Sequence, residues 1–172
     1  MYNIDGLKTK RLEFRKLTKD DIPLWYEFFQ DPNSLLYIGA NFTDNDMKVS
    51  ENWIDRQVTR YDENGSGLYA FIDRETKLFI GQCGLIPRDI DGQDEVEIAY
   101  HVLTKYRRKG YGSEAAIAVK DFAKRNKLKD SLISIIHVDN EASQKVAMKN
   151  GMKRGVKTRF MEMDVFIYRV KL

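Results

Sequence analysis

The apolar positions change period between residues 68 and 102, and this change restricts the fold more than any other feature of the chain. Leu68 to Asp73, Leu78 to Leu85 and Glu95 to Val102 each alternate with a period near two, the signature of strands. The turns between them, Arg74 to Lys77 and Arg88 to Asp94, are short and polar, so antiparallel hairpins are the simplest connection. Helical spacing appears on both sides. Ile22, Trp25, Phe28 and Phe29 share one face of a helix that follows the capping pattern Thr18-Lys-Asp-Asp21. Met47, Ile54, Val58 and Tyr61 share a face of a second helix, introduced by Thr43 and Asp46. Tyr111, Ala115, Val119 and Phe122 form the stripe of a third, ending near Lys127.

A strand at Arg11 to Leu17 precedes these elements, and an irregular connection is expected from Asp31 to Phe42, where Pro32, Gly39 and several Asn interrupt any period. Leu132 to Val138 reads as an Ile- and Val-rich strand, and Glu141 to Asn150 as a short helix stopped by Gly151. Strands near Met152 to Phe160 and Met163 to Val170 complete the order. The layout is α+β, with a mixed, mostly antiparallel central sheet flanked by helices. The strand, helix, strand passage from 95 to 138 is the expected parallel crossover, and ligands favour the ends of such strands. No repeat, low-complexity tract or Gly/Ser/Pro linker divides residues 1–172, which are expected to form a single domain.

Composition excludes several classes of function. No apolar stretch approaches the roughly 18 residues of a membrane span. The start of the chain is charged, without the apolar segment of a secretory signal, and Cys83 stands alone, so a cytoplasmic location is expected with no membrane partner. The net charge of +3 is interspersed and too mild to imply a nucleic-acid partner. His101 and His137 lie in separate strands without metal-ligand spacing, so no metal is expected.

The segment with unusual chemistry is Lys105-Tyr-Arg-Arg-Lys-Gly-Tyr-Gly-Ser-Glu-Ala115. Gly110 and Gly112 at a helix start let several main-chain N–H groups converge on an anion, and four basic residues surround them. A solvated basic loop is the plain alternative. A Walker loop fails because Ser113-Glu114 follows Gly112 where Lys and Ser or Thr are needed. Gly110-Tyr-Gly112-Ser-Glu-Ala115 satisfies the dinucleotide pattern G-x-G-x-x-A, but a basic segment separates it from the strand ending at Val102, and antiparallel strands precede it. The third reading is R-x-x-G-x-G at Arg107 to Gly112, following Glu97-Ile-Ala-Tyr-His-Val102.

At those residues the chain resembles the GNAT superfamily of acyl-CoA-dependent N-acetyltransferases. Glu95 to Ala115, Asn140-Glu-Ala-Ser143 and Lys149-Asn-Gly151-Met carry the likeness, and Arg11 to Leu17 resembles the first strand of the branch containing ribosomal-protein N-terminal acetyltransferases. The resemblance implies a GNAT-like fold with acetyl-CoA as acetyl donor and a small-molecule amine or peptide N-terminus as acceptor. Self-association into a homodimer is compatible with it. It also implies that Tyr100, His101 and Val102 present main chain to the pantetheine arm. Arg107, Arg108, Lys109, Gly110, Tyr111, Gly112 and Ser113 would wrap the diphosphate, and Asn140 would bond the pantetheine.

Acetyl transfer needs a neutral amine, a stabilised oxyanion and a proton for the thiolate. The main-chain N–H of Val102 suits the oxyanion, and Glu97 suits the base, although a strand glutamate equally serves as an ion-pair partner. Many family members place a tyrosine as the thiolate's acid where this chain has Ala147, so Ser143, which the ribosomal-protein branch shares, takes that role; a polar residue in a first helical turn is its plain reading. Asn140 reads equally as a helix cap. Glu162 is an alternative base suggested by the same branch. Trp25, Phe28, Phe29, Trp53 and Tyr61 read as core or groove wall, and Cys83 as a buried small residue. A non-catalytic acyl-CoA sensor and, less favoured, a dinucleotide-binding protein are the alternative readings. Residues Leu35 to Phe42 and the final hairpin are expected to shape the acceptor pocket.

Overall fold

The computed structural model describes residues 2–38 and 47–172. Seven strands share one sheet in the order β1-β2-β3-β4-β5-β7-β6. They are β1 (Leu12–Arg15), β2 (Gly67–Asp73), β3 (Phe79–Ile90), β4 (Gln93–Val102), β5 (Ser131–His137), β6 (Lys153–Phe160) and β7 (Met163–Lys171). Only β4 and β5 pair in parallel; every other neighbour is antiparallel. The helices are α1 (Ile22–Gln30), α2 (Pro32–Leu35), α3 (Lys48–Asn64), α4 (Tyr111–Arg125) and α5 (Glu141–Lys149).

Several boundaries differ from the sequence reading, the first strand among them, which is confined to Leu12–Arg15. The turn expected from Arg88 to Asp94 is shorter still: β3 and β4 continue until Ile90 pairs with Gln93, leaving Asp91-Gly92 as a two-residue connection with φ of 53° and 78°. Asp-Gly with both residues at positive φ matches the right-handed twist of the flanking strands, and this local signal outweighs the polarity of the strand ends. The stretch after Asp31 contains the short helix α2, capped by the Asp31 carboxylate accepting from the Asn33 N–H at 3.0 Å. Thr18 to Asp21 opens a single 3-10 turn before α1, with Asp21 accepting from the Thr18 N–H and clamped by Arg15 at 2.7 Å. The Thr43 and Asp46 cap lies outside the described residues.

Alternation along the strands sorts the chemistry onto two faces. Gln82, Gly84, Ile86 and Arg88 of β3 stand opposite His101, Ala99, Glu97 and Glu95 of β4, on the face covered by α1 and α3, where the Trp53 indole donates to Gln82 Oε1 at 2.8 Å. Val96, Ile98, Tyr100 and Val102 point the other way, towards α4 and α5. Trp25, Phe14, Phe71, Ile98, Val119 and Leu132 are among the side chains sealed in the core. At one sheet edge β6 is exposed along most of its length and carries Lys153, Arg154, Lys157 and Arg159. No described helix is long and apolar enough to cross a membrane.

Candidate active site

The two parallel strands meet at one rung, Glu97 against Ile133, and diverge beyond it. The Leu103 N–H bonds Ile80 O at 3.0 Å, so the main chain of His101 faces β3 and that of Tyr100 and Val102 faces the gap, by the alternation of an antiparallel ladder. The structure thus separates three adjacent candidates: Tyr100 and Val102 offer main chain to the opening, whereas His101 offers its side chain to the α1/α3 face. Val102 O is already used, accepting from Arg107 Nε at 3.1 Å.

The glycine turn follows at once. Gly110 caps α4 at φ 82°, and Arg108 also takes positive φ, at 61°. Main-chain N–H groups of residues 108–113 find no acceptor among the described residues, which leaves a row of donors at the positive end of a helix. A Cβ on Gly112 would stand 3.3 Å from Val102 Cγ2, inside the space between the turn and the strand end. Arg108 and Lys109 are exposed beside this row and Ser113 lies in the first turn, partly covered. Tyr111 donates to Asp73 at 3.0 Å, with the Arg11 guanidinium 4.3 Å from its ring centre.

Two groups remote in sequence hold the turn in place. Arg11 reaches Glu114 at 2.7 Å and Lys109 O at 3.0 Å, joining β1 to the first turn of α4. Arg107 turns its guanidinium inward, to Asp31 at 3.0 Å and Ser34 at 2.5 Å, so its side chain is a strut to α2 rather than a free cation beside Arg108 and Lys109. Burial raises the Asp31 pKa, but hydrogen bonds from Thr104, the Asn33 N–H and Ser34, with the charge of Arg107, hold it below the usual carboxylate range. None of these partners was legible from local spacing.

On the far side of the gap, Asn140 Oδ1 accepts from the Ser143 N–H at 3.1 Å and caps α5. The Tyr100 phenol donates to Ser143 O at 2.8 Å, so α5 is pinned to β4 beside Ser143. Burial raises the phenol's pKa above its ordinary value, keeping it a donor. Ala147 is wholly buried. Glu97, also buried, accepts from Arg88 Nε at 2.7 Å. Glu162 lies elsewhere, exposed in the β6–β7 turn at φ 64°, where it borders a depression of about 520 Å³ with His137, Asp139, Arg159 and Asp164. The structure therefore joins Tyr100 to Ser143 on the α4/α5 face of β4, places Glu97 on the opposite face of the same strand, paired with Arg88, and leaves Glu162 in the separate β6–β7 turn.

The α1/α3 face supplies an aromatic box. His101 sits 5.4 Å from Trp53, 5.5 Å from Phe28 and 6.2 Å from Trp25, between ring centres. Burial, then the charges of Arg107 and Arg88, push the imidazole down to about 4, so it is neutral at pH 7. Tyr37 packs against His137, ring centres 5.1 Å apart; residues 39–42 of the expected pocket lie outside the described residues. Cys83 is fully buried and burial pushes its thiol up, which suits an inert core residue.

A parallel crossover carrying a glycine turn at its helix start is the arrangement expected from residues 95–138; the single rung and the row of N–H donors free among the described residues are what the structure adds. The profile of the acetyltransferase (GNAT) domain matches residues 11–153. The chain belongs to the GNAT acetyltransferase family. Among its relatives is the uncharacterized protein YkkB of Bacillus subtilis (strain 168), 29% identical over 96% of this chain and 95% of YkkB. The acetyltransferase of Agrobacterium tumefaciens str. C58 superimposes with a TM-score of 0.82 at 25% identity, covering 100% of this chain and 97% of the other. RimL, a ribosomal L7/L12 alpha-N-protein acetyltransferase solved in complex with coenzyme A, shares the fold at a TM-score of 0.79 and 14% identity, over 95% and 96% of the two chains.

Proposed function

We propose that this GNAT protein binds acetyl-CoA along the open edge of β4 and transfers the acetyl group directly to a primary amine of a small molecule or a protein N-terminus. The observation that carries the reading is the single β4–β5 rung, which turns the main chain of Tyr100 and Val102 into a gap that ends at the unpaired N–H groups of residues 108–113. Those donors suit a diphosphate, as does the absence of a Cβ at Gly112. Coenzyme A in the related RimL structure supports the same ligand class.

The residues divide the proton chemistry. Glu97, buried on the acceptor face, takes the ammonium proton directly or through water; the Val102 N–H faces the position of the oxyanion; Ser143, on the donor face, supplies a hydroxyl to the departing sulfur. Asn140 acts first as the cap that sets the start of α5. Holding amine and thioester on opposite sides of one gap supplies much of the rate through proximity.

Calorimetric titration with acetyl-CoA, run against CoA, NAD and ATP, tests the donor assignment. Micromolar acetyl-CoA binding displaced by CoA is expected, and saturable NAD binding without CoA competition would overturn it. In a thiol-release assay, Glu97→Gln and Ser143→Ala are expected to lower kcat at least tenfold with acetyl-CoA affinity unchanged. Full turnover in either variant removes that residue from the chemistry. Tight acetyl-CoA binding with no turnover of any amine would favour the sensor reading.

A further inference from the structure

The acceptor face has a charged end that acetyl transfer by itself does not require. Trp53, Gln57 and Arg60 follow one another along the sheet-facing side of α3, one turn apart, above β3. The first of these meets Gln82 and His101 in the aromatic box. The last lies beside the start of β2, where a Cβ on Gly67 would stand 3.5 Å from Arg60 Cβ. Gly67 pairs with Leu85 on β3, three residues before Arg88, and Arg88 bonds the candidate base Glu97. Along α3 this face thus passes from aromatic, neutral side chains to Arg60, which lies within charge range of the Arg88–Glu97 pair.

The charges at that end do not cancel. Arg88 and Glu97 satisfy each other at 2.7 Å, and the Arg88 guanidinium also lies 5.6 Å from the Phe160 ring centre. Arg60 is half-buried, and its one hydrogen-bond partner among the described residues is a neutral amide oxygen, Gln57 Oε1 at 3.2 Å. That oxygen also accepts from the Leu68 N–H, which holds Gln57 in place. Burial, followed by the charges of Arg88 and Arg56, lowers the Arg60 pKa, while Glu97 and Glu63 work the other way. A partly desolvated guanidinium with no carboxylate partner among the described residues is a costly arrangement that an incoming anion relieves.

The box adds a second, independent mismatch of the same sign. Gln82 is fully buried and its Nε2 has no acceptor among the described residues. Turning the amide over would not help, because the Trp53 N–H requires Oε1 where it is. The Trp25 indole N–H, in the core behind the box, likewise has no partner among the described residues. This face therefore holds surplus donors and surplus positive charge, which suits a ligand rich in oxygen.

Resting on the acetyl-transfer reading above, we propose that the acceptor is an amine that also carries a carboxylate or phosphate a few bonds away, with its anionic group on Arg60 and Arg88 and its amino group at Glu97. Polycationic amines are disfavoured, since their second ammonium would meet the guanidiniums.

The test uses the full chain with acetyl-CoA and matched sets of amines: amino-carboxylates, aminoalkyl phosphates, neutral alkylamines of the same length, and polyamines. Turnover is read by thiol release. Binding is read separately, by tryptophan fluorescence in the presence of CoA, so that loss of catalysis does not hide recognition. The expected result is at least a tenfold preference in kcat/KM, or in affinity, for the anion-bearing amines. Arg60→Gln abolishes that preference through KM while leaving acetyl-CoA affinity unchanged, Arg60→Lys retains part of it, and Arg60→Glu shifts it towards polyamines. The carboxylate and phosphate arms decide which anion is used. Equal use of neutral or polycationic amines, or a preference that survives Arg60→Gln, overturns the inference and leaves acetyl transfer standing. Saturable binding of anion-bearing amines with no turnover supports the inference and counts against acetyl transfer.

Discussion

Gly112 shows how one missing atom serves two elements. Its position in the first turn of α4 is open because nothing projects towards Val102, and a side chain there must enter space 3.3 Å from Val102 Cγ2. Gly112→Val is expected to raise the Kd for acetyl-CoA at least tenfold, and because Gly112 is buried beside Val102 its melting temperature is measured alongside to separate lost binding from lost fold. An unchanged Kd in a folded variant would remove the turn from the donor site. At this scale legibility followed sequence distance. Gly110, Gly112, Asn140 and Ser143 could be read because glycines at a helix start and a cap followed by a polar first turn are local patterns. Arg11 with Glu114 and Arg107 with Asp31 could not, since each pairing depends on strands and helices brought together by the fold.

Elements set the gap, and the β3–β4 hairpin sets the elements. Ten consecutive rungs from Gly81 against Val102 to Ile90 against Gln93 fix the register of β4, and hence which of its residues face α3 and which face α5. A slip of one residue would move Glu97 to the opposite face, so the turn chemistry at Asp91-Gly92 matters far from the turn itself. Gly92 has φ 78° and open space around a would-be Cβ, so its requirement is conformational rather than steric. Gly92→Ala is expected to cost about 1 kcal/mol in urea denaturation through the φ penalty alone, with acetyl-CoA affinity unaltered. The order of elements was readable from the change of period, whereas the divergence of β4 from β5 was not. Strand patterning shows which face a residue takes, but it does not show how many rungs a parallel pair keeps.

For the whole molecule, the aromatic box couples stability to pH. His101 is held at about 4 in the folded chain by burial and by the charges of Arg107 and Arg88, against an ordinary value of 6.5. Above pH 6.5 both states are neutral and there is no penalty. As pH falls from 6.5 towards 4 the unfolded chain takes up the proton first, so the fold loses stability through that window, by an amount on the order of 3 kcal/mol, and the loss levels off below 4. Denaturation midpoints measured across pH 4 to 7 are expected to fall on acidification, and His101→Gln is expected to flatten that slope; a slope unchanged in the variant would assign the acid sensitivity to other groups.

The exposed strand β6 has a consequence for how copies of the protein behave in concentrated solution. A free sheet edge is a template for another strand, but this one presents Lys153, Arg154, Lys157 and Arg159, and only Lys157 has a carboxylate partner among the described residues, in Asp164 at 2.6 Å. Two such edges approaching each other bring like charges together before any ladder can form. The sheet is colloidally guarded on that side by charge, a protection that weakens as added salt shortens the range of the repulsion.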